Sequence, residues 1–188
     1  VQVYFQRNWD LSIKPWRAGM LKDIAGFGSE RQPFCHKAIP VPQVALIYPS
    51  ESYQRLAETP YSRPTGMLQG SLYALLDAQL PVGILMEHHL PGTLSKYTMV
   101  VVPECDSLTQ SSINEIKSYL QNGGKVLVIG SQTTGIFKSE LGIKSTTVKP
   151  KGAAFISAAG RMGSVRSEIL QVELERGALP VSYFYKGS

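Results

Sequence analysis

Residues that could do chemistry are concentrated in four short segments of this sequence, each of which follows an apolar run. Their side chains are carboxylates, imidazoles, hydroxyls and one thiol, the groups that proteins use as acids, bases, nucleophiles and metal ligands. They are Ser50 and Glu51 after the first run, Glu87, His88 and His89 after the second, Glu104 and Cys105 after the third, and Ser131 after the fourth. The sequence therefore predicts that any ligand site lies among these segments.

Cys105 could act as a thiol nucleophile with His88 or His89 as its base. The residues on either side of it, Glu104 and Asp106, are both acidic. Negative neighbours raise the pKa of a thiol and oppose formation of the reactive thiolate. We therefore favour an inert Cys105, and a small cysteine-dependent hydrolase or amidotransferase is the alternative.

His88 and His89, together with Glu87 or Glu104, could also hold a divalent metal, because imidazole and carboxylate are suitable ligands. Adjacent residues in an extended loop usually point in different directions, and no second histidine-bearing motif is present. A hydrogen-bonded pair of loop histidines is the preferred interpretation. We predict no metal and no cofactor.

Two segments could bind a polar ligand. Ser50, Glu51 and Tyr53 offer hydroxyls and an aromatic ring of the kind that carbohydrate sites combine, although Ser50 could equally cap a turn. Residues 130–135, which include Ser131, offer backbone amides and hydroxyls that can hold a phosphate. They match neither the P-loop nor the dinucleotide fingerprint, so an ordinary turn is the preferred reading.

The elements that must position these segments read as alternating strands and helices. The apolar runs Val44–Tyr48, Val82–Met86, Met99–Val102 and 125–129 lack alternation, as buried parallel strands do. Leucines between residues 68 and 80 and apolar residues between 113 and 120 repeat at helical spacing. We predict an α/β fold with a flavodoxin-like, doubly wound and mainly parallel sheet, whose strand ends share one edge.

Different patterns flank this core. An N-terminal leader with an amphipathic helix is predicted from Pro15 and the helical spacing of Trp16, Met20, Ile24 and Phe27. Prolines at 40 and 42 mark a linker after it. After Gly135, short β-prone pieces at 146–148, 154–157, 169–174 and 181–185 predict an antiparallel extension. The expected division is a leader at 1–40, an α/β core at 41–135 and a β-rich extension at 136–188. We expect the chain to be part of a longer protein.

Composition narrows the class of partner. The 188 residues carry a formal net charge of +5, but the basic residues are scattered, so nucleic acid is not an expected partner. The apolar runs are far shorter than the roughly 20 residues that cross a bilayer, so no membrane partner is expected. Two cysteines cannot form a disulfide framework. The cellular location stays open.

Three segments resemble a known family: residues 42–48, residues 96–104 with the sequence KYTMVVVPE, and residues 119–128 with the sequence YLQNGGKVLV. They look like the class I glutamine-amidotransferase-like domain, over about residues 40–135 by the same division into strands and helices. More narrowly, they resemble the version that follows the catalytic barrel in β-galactosidases of glycoside hydrolase family 42, often called the trimerisation domain.

The resemblance implies a supporting role. Catalytic relatives carry a cysteine nucleophile on the turn after the fourth strand, where this chain has Ser131, and their histidine follows later, where this chain has none. The carboxylates that cleave the sugar bond belong to the barrel in such glycosidases. The resemblance thus implies a non-catalytic accessory domain with the preceding barrel as its partner, homo-oligomer formation and a possible carbohydrate contact. A sugar- or phosphate-binding module is a further alternative.

Overall fold

The computed structural model describes residues 8, 10–39, 41–57, 65–158, 160–179 and 183–186. The chain forms two compact units, residues 1–41 and residues 42–188. The division at residues 40 and 135 stays a prediction.

Helix α1, Pro15–Cys35, is the main element of the first unit. Proline suits its first turn because a helix leaves that amide unpaired in any case. Trp16, Met20 and Phe27 are exposed along one side, and none of the described helix residues is buried. Arg31 lies 3.5 Å above the Phe27 ring. The helix runs beyond the predicted stretch. No described helix combines the length and apolar character needed to cross a membrane.

The second unit contains a four-stranded parallel sheet. Its strands are β1 (Val44–Tyr48), β2 (Val82–Met86), β3 (Met99–Val102) and β4 (Lys125–Val128), in the order β2-β1-β3-β4. Val44 of β1 lies opposite Val82 on one side and Met99 on the other. This is the strand order with which a flavodoxin-like sheet begins. The predicted α/β class with a parallel sheet is confirmed.

Four helices follow the strands: α2 (Ser50–Arg55), α3 (Gly66–Asp77), α4 (Gln110–Gln121) and α5 (Ser131–Ile136). Thr109 caps the N-terminus of α4, and its hydroxyl accepts a hydrogen bond from the Ser112 amide. The sequence predicted no helix at α2 and an ordinary turn at residues 130–135, whereas the structure forms a helix at both places. Six residues hold too few apolar positions to show a helical period. Glu87–His89 and Leu94–Lys96 form single 3₁₀ turns.

The core lies on both faces of the parallel sheet, because neighbouring residues of a strand point in opposite directions. Ala45 and Ile47 of β1 belong to one buried cluster, which includes Ile116 of α4. Val44 and Leu46 belong to the other, which includes Leu68, Leu75 and Val101. Burial on both faces explains the unbroken apolar runs of β1 and β3. The prediction of buried strands is wrong for β2 and β4, which lie at the edges of the sheet and leave Ile84 48% and Leu127 45% exposed.

The C-terminal part forms a separate antiparallel sheet of β5 (Ile143–Ala158), β6 (Arg161–Leu174) and β7 (Tyr183–Lys186), in the order β6-β5-β7. The predicted antiparallel extension is confirmed, but three of the short predicted pieces belong to two long strands. Lys149, Pro150 and Lys151 interrupt the β-prone pattern, and the structure accommodates them with a register shift between Lys149 and Gly152.

Candidate functional site

The predicted site residues all follow the ends of the four parallel strands. Ser50 and Glu51 open α2, Glu87, His88 and His89 form the turn after β2, Glu104 and Cys105 follow β3, and Ser131 opens α5. Parallel strands end at one edge of a sheet, so the topology brings these segments to the same side of the domain.

Glu87 joins two of these segments through its carboxylate. One oxygen, Oε1, accepts a hydrogen bond from the Glu51 amide at 3.0 Å, and Oε2 accepts one from the Thr109 amide at 2.7 Å. The side chain is buried. Both oxygens therefore hold the first turns of α2 and α4 in place, and this carboxylate is occupied by backbone amides rather than turned toward a ligand.

Glu104 holds the start of α5 in a similar way. Its Oε1 accepts hydrogen bonds from the Gln132 amide at 3.0 Å and the Ser131 hydroxyl at 3.4 Å. Its Oε2 is buried without a hydrogen-bond partner among the described residues. Gly130 has φ +94° and ψ 167°, and a Cβ there would lie 1.1 Å from Oε2. The carboxylate fills the space that only a glycine leaves open.

Cys105 is 3% exposed. Its amide donates to Thr133 Oγ1 at 2.8 Å, and the Thr133 hydroxyl lies 3.6 Å from the thiol sulfur. Burial raises the pKa of the Cys105 thiol to about 11, the Thr133 hydroxyl opposes that rise, and the carboxylates of Glu87, Glu104 and Asp106 add to it. A buried and protonated thiol has the opposite properties to an activated nucleophile.

His88 and His89 are exposed, and their rings contact each other with centroids 3.9 Å apart and planes inclined at 53°. The hydrogen-bonded histidine pair was the preferred interpretation, whereas the contact that the structure shows is between the two rings. Across the described ranges, no group of three histidine, cysteine or acidic residues is arranged to hold a metal ion.

The segment after β1 offers less to a sugar than its sequence suggested. The Tyr53 ring is buried and packs edge-on against Tyr48, with centroids 5.3 Å apart. It cannot stack on a ligand there. Burial raises the pKa of the Tyr53 phenol to about 12, against a smaller opposing effect of the Leu68 backbone. Ser50 donates to the Tyr48 carbonyl at 3.4 Å, which is the turn-capping role considered for it.

Sequence reasoning missed an ion pair at this edge. Asp106 pairs with Arg55 and accepts a hydrogen bond from the Ser52 hydroxyl at 2.7 Å. The Arg55 guanidinium, followed by the Ser52 hydroxyl, lowers the pKa of the Asp106 carboxyl. The pair links α2 to the segment after β3. Arg55 and Asp106 are far apart in sequence, so no local motif could have indicated the contact.

No family model and no curated protein matches the sequence. Solved structures match its fold. Gan42B, a GH42 beta-galactosidase from G. stearothermophilus, matches with a TM-score of 0.69 and 14% identity, over 95% of this chain and 28% of that chain. The fold is one found within larger glycoside hydrolases.

Two further structures support that statement. Alpha-L-fucosidase isoenzyme 2 from Paenibacillus thiaminolyticus matches with a TM-score of 0.68 and 16% identity, over 93% of this chain and 27% of that chain. The beta-galactosidase from the psychrophilic Marinomonas ef1 matches with a TM-score of 0.62 and 17% identity, over 93% and 29%. The chain thus spans less than a third of each of these proteins.

Proposed function

We propose that this chain acts as a non-catalytic accessory domain of a glycoside hydrolase of the β-galactosidase type, supporting a catalytic barrel and taking part in oligomer formation. The observation that carries the proposal is the extent of the structural match. Nearly all of this chain corresponds to a minor part of two beta-galactosidases and an alpha-L-fucosidase. Such a domain supports the enzyme while the hydrolytic residues lie elsewhere in the polypeptide. The amidotransferase-like ancestry suggested by the sequence motifs belongs to the same proposal.

The strand-end geometry supports the non-catalytic part of this proposal. The carboxylates of Glu87 and Glu104 accept hydrogen bonds from backbone amides, and the carboxylate of Asp106 pairs with Arg55. A general acid or base needs a carboxyl group within reach of substrate. Here the Glu87 and Glu104 carboxylates hold the starts of α2, α4 and α5 instead.

The exposed side of α1 supports a contact with another domain. Trp16 is 61% and Phe27 60% exposed, and Met20 lies on the same side of the helix. Large apolar side chains grouped on one surface usually mark an interaction site. We assign this side of α1 to the preceding catalytic barrel, because the match covers so small a share of each larger chain.

The decisive experiment measures catalysis by the chain alone. We expect no hydrolysis of nitrophenyl galactosides, fucosides or mannosides above the buffer rate, and slow alkylation of Cys105 at neutral pH. The alkylation assay uses Cys35→Ser to remove the exposed thiol and Cys105→Ser as the control. Alkylation much faster than that of a model thiol, and abolished by His88→Ala or His89→Ala, would establish an activated nucleophile and overturn the proposal.

A binding measurement separates the accessory role from a sugar-binding role. A ligand that binds only the folded chain raises its unfolding temperature. We expect galactose and inorganic phosphate to leave that temperature unchanged. A rise with galactose that Glu51→Ala removes would favour a carbohydrate site at the strand ends.

A further inference from the structure

Strand β6 leaves one side open to pairing. It is the outermost strand of the antiparallel sheet, with β5 on its inner side, and the described part of the chain places no strand on its outer side. Its 14 residues contain no proline. The amides and carbonyls along such an edge can form a ladder with a further strand.

The sequence of β6 is complementary to itself when it is read in the opposite direction. With Ser167 opposite its own copy, Arg166 lies opposite Glu168, and Arg161 lies opposite Glu173. In the same register, Val165 lies opposite Ile169 and Met162 lies opposite Val172. Opposed residues of an antiparallel pair share a face of the sheet. Each basic residue therefore meets an acidic one, and four apolar residues meet one another.

The neighbouring registers lack this match. Because side chains alternate between faces, the pairing can shift only in steps that keep each residue on its face. A shift of the axis by one residue along β6 in one direction places Glu168 opposite its own copy, and a shift in the other direction places Arg166 opposite its own copy. Like charges directly opposite each other are destabilising. The charge pattern thus selects the register centred on Ser167.

The side chains that this register brings together are accessible. Met162 is 75% exposed, and Val165 and Val172 are about 40% exposed. Neither Arg166 nor Glu168 has an ion pair within the described ranges, and both are exposed. Glu173 already contacts Lys144 at 2.7 Å, so the central pair of Arg166 and Glu168 carries most of the complementarity.

We propose that two copies of this chain associate through antiparallel pairing of their β6 strands, about a two-fold axis at Ser167. The interface is isologous, so each ion pair and each apolar pair occurs twice. It joins the two three-stranded sheets into one continuous sheet. The occupant of the open edge is a second copy because the complementarity is between β6 and itself. This inference rests on the assembly role in the proposed function and adds a two-fold contact to it, distinct from the three-fold contact that the name trimerisation domain implies.

Charge reversal tests the register directly. Arg166→Glu or Glu168→Arg alone places like charges opposite each other twice, and we expect dimerisation to weaken about tenfold or more in either single variant. The double variant restores opposite charges and should dimerise like the wild type. An equimolar mixture of the two single variants should form a heterodimer, because every central pair is then attractive. Sedimentation equilibrium of each sample measures these constants, and Lys138→Glu, outside β6, is the control.

A cysteine at the axis gives a second, geometric readout. In the Cys35→Ser background, Ser167→Cys places two thiols directly opposite each other, at about 4.5–5.5 Å between Cα atoms, which suits a disulfide. Val165→Cys places the two thiols four residues out of register, and it should not cross-link. Mild oxidation should therefore yield a covalent dimer only for the first variant.

Three results would overturn the inference: a monomeric wild type at every concentration that remains soluble, dimerisation unaffected by both single reversals, or equal cross-linking at positions 167 and 165. The second result would leave the assembly role standing and move it to another surface. Glycosidase activity in the chain alone would instead remove the proposed accessory role without bearing on β6.

Discussion

Replacing Gly130 with alanine tests whether Glu104 fixes the start of α5. The Cβ of the new residue would lie 1.1 Å from Glu104 Oε2 and 2.2 Å from its Cδ, so the carboxylate must move. The backbone must also hold φ +94° and ψ 167°, a region used almost exclusively by glycine. Both effects act on the same turn between β4 and α5.

The expected loss of stability follows from these two contributions. The backbone conformation costs a residue with a Cβ roughly 1–3 kcal/mol. Displacing Glu104 removes the hydrogen bond from the Gln132 amide, and a hydrogen bond to a charged group contributes about 1.5–3 kcal/mol. Gly130→Ala should therefore lower the free energy of unfolding by about 2.5–6 kcal/mol. Gly123→Ala, at φ +87° with no atom near its Cβ, should cost only the backbone contribution.

Urea unfolding of four proteins measures the two contributions separately: wild type, Gly130→Ala, Glu104→Ala and the double variant. Since Gly130→Ala already displaces the carboxylate, removing the Glu104 side chain as well should add little, and the double variant should be about as stable as Gly130→Ala. Additive losses would show that the two residues act independently. Equal losses in Gly130→Ala and Gly123→Ala would also refute the reasoning, because the clash with Glu104 would then contribute nothing.

Two further predictions concern buried groups. Glu87→Gln leaves one of the two backbone amides, that of Glu51 or that of Thr109, without an acceptor. Urea unfolding should therefore show a free energy of unfolding lower by about 1–3 kcal/mol. The control Glu51→Gln changes an exposed side chain and should leave the free energy of unfolding nearly unchanged. High pH should destabilise the chain, because burial raises the pKa of the Cys105 thiol from 9.0 to about 11 and that of the Tyr53 phenol from 10.0 to about 12. The contribution of these two protonated groups to the free energy of unfolding is fully present below pH 9 and is lost as the pH rises through 9 to 12. Unfolding measured from pH 8 to 12 should show this decline, and Cys105→Ala or Tyr53→Phe should reduce its slope; an unchanged slope in both variants would refute the assignment.

The parallel sheet was predictable because its signal is local. Val44–Tyr48 and Met99–Val102 are apolar without alternation, and the structure buries both strands on both faces. The leucines of α3 and the apolar face of α4 likewise carry the helical period in their own sequence. The strand-end location of the candidate residues follows from the same alternation of strands and helices.

The short helices and the length of the C-terminal strands were not predictable in this way. Helix α2 and helix α5 depend on Glu87 and Glu104, which lie in other segments and supply acceptors for their first amides. The long strand β5 continues through Pro150 because β6 runs beside it across a register shift. In each case the deciding contact joins residues that are distant in sequence.

The sequence by itself determined the fold class, the positions of the four parallel strands and the residue types at their ends, because burial imposes a periodic pattern on each element. Only the tertiary structure decided what those residues do. It placed the Glu87 carboxylate on two amides, enclosed Cys105 beside Thr133 and set the Glu104 side chain against Gly130. Hydrogen-bond partners and burial depend on how distant segments meet, and that information is absent from the local pattern of residues.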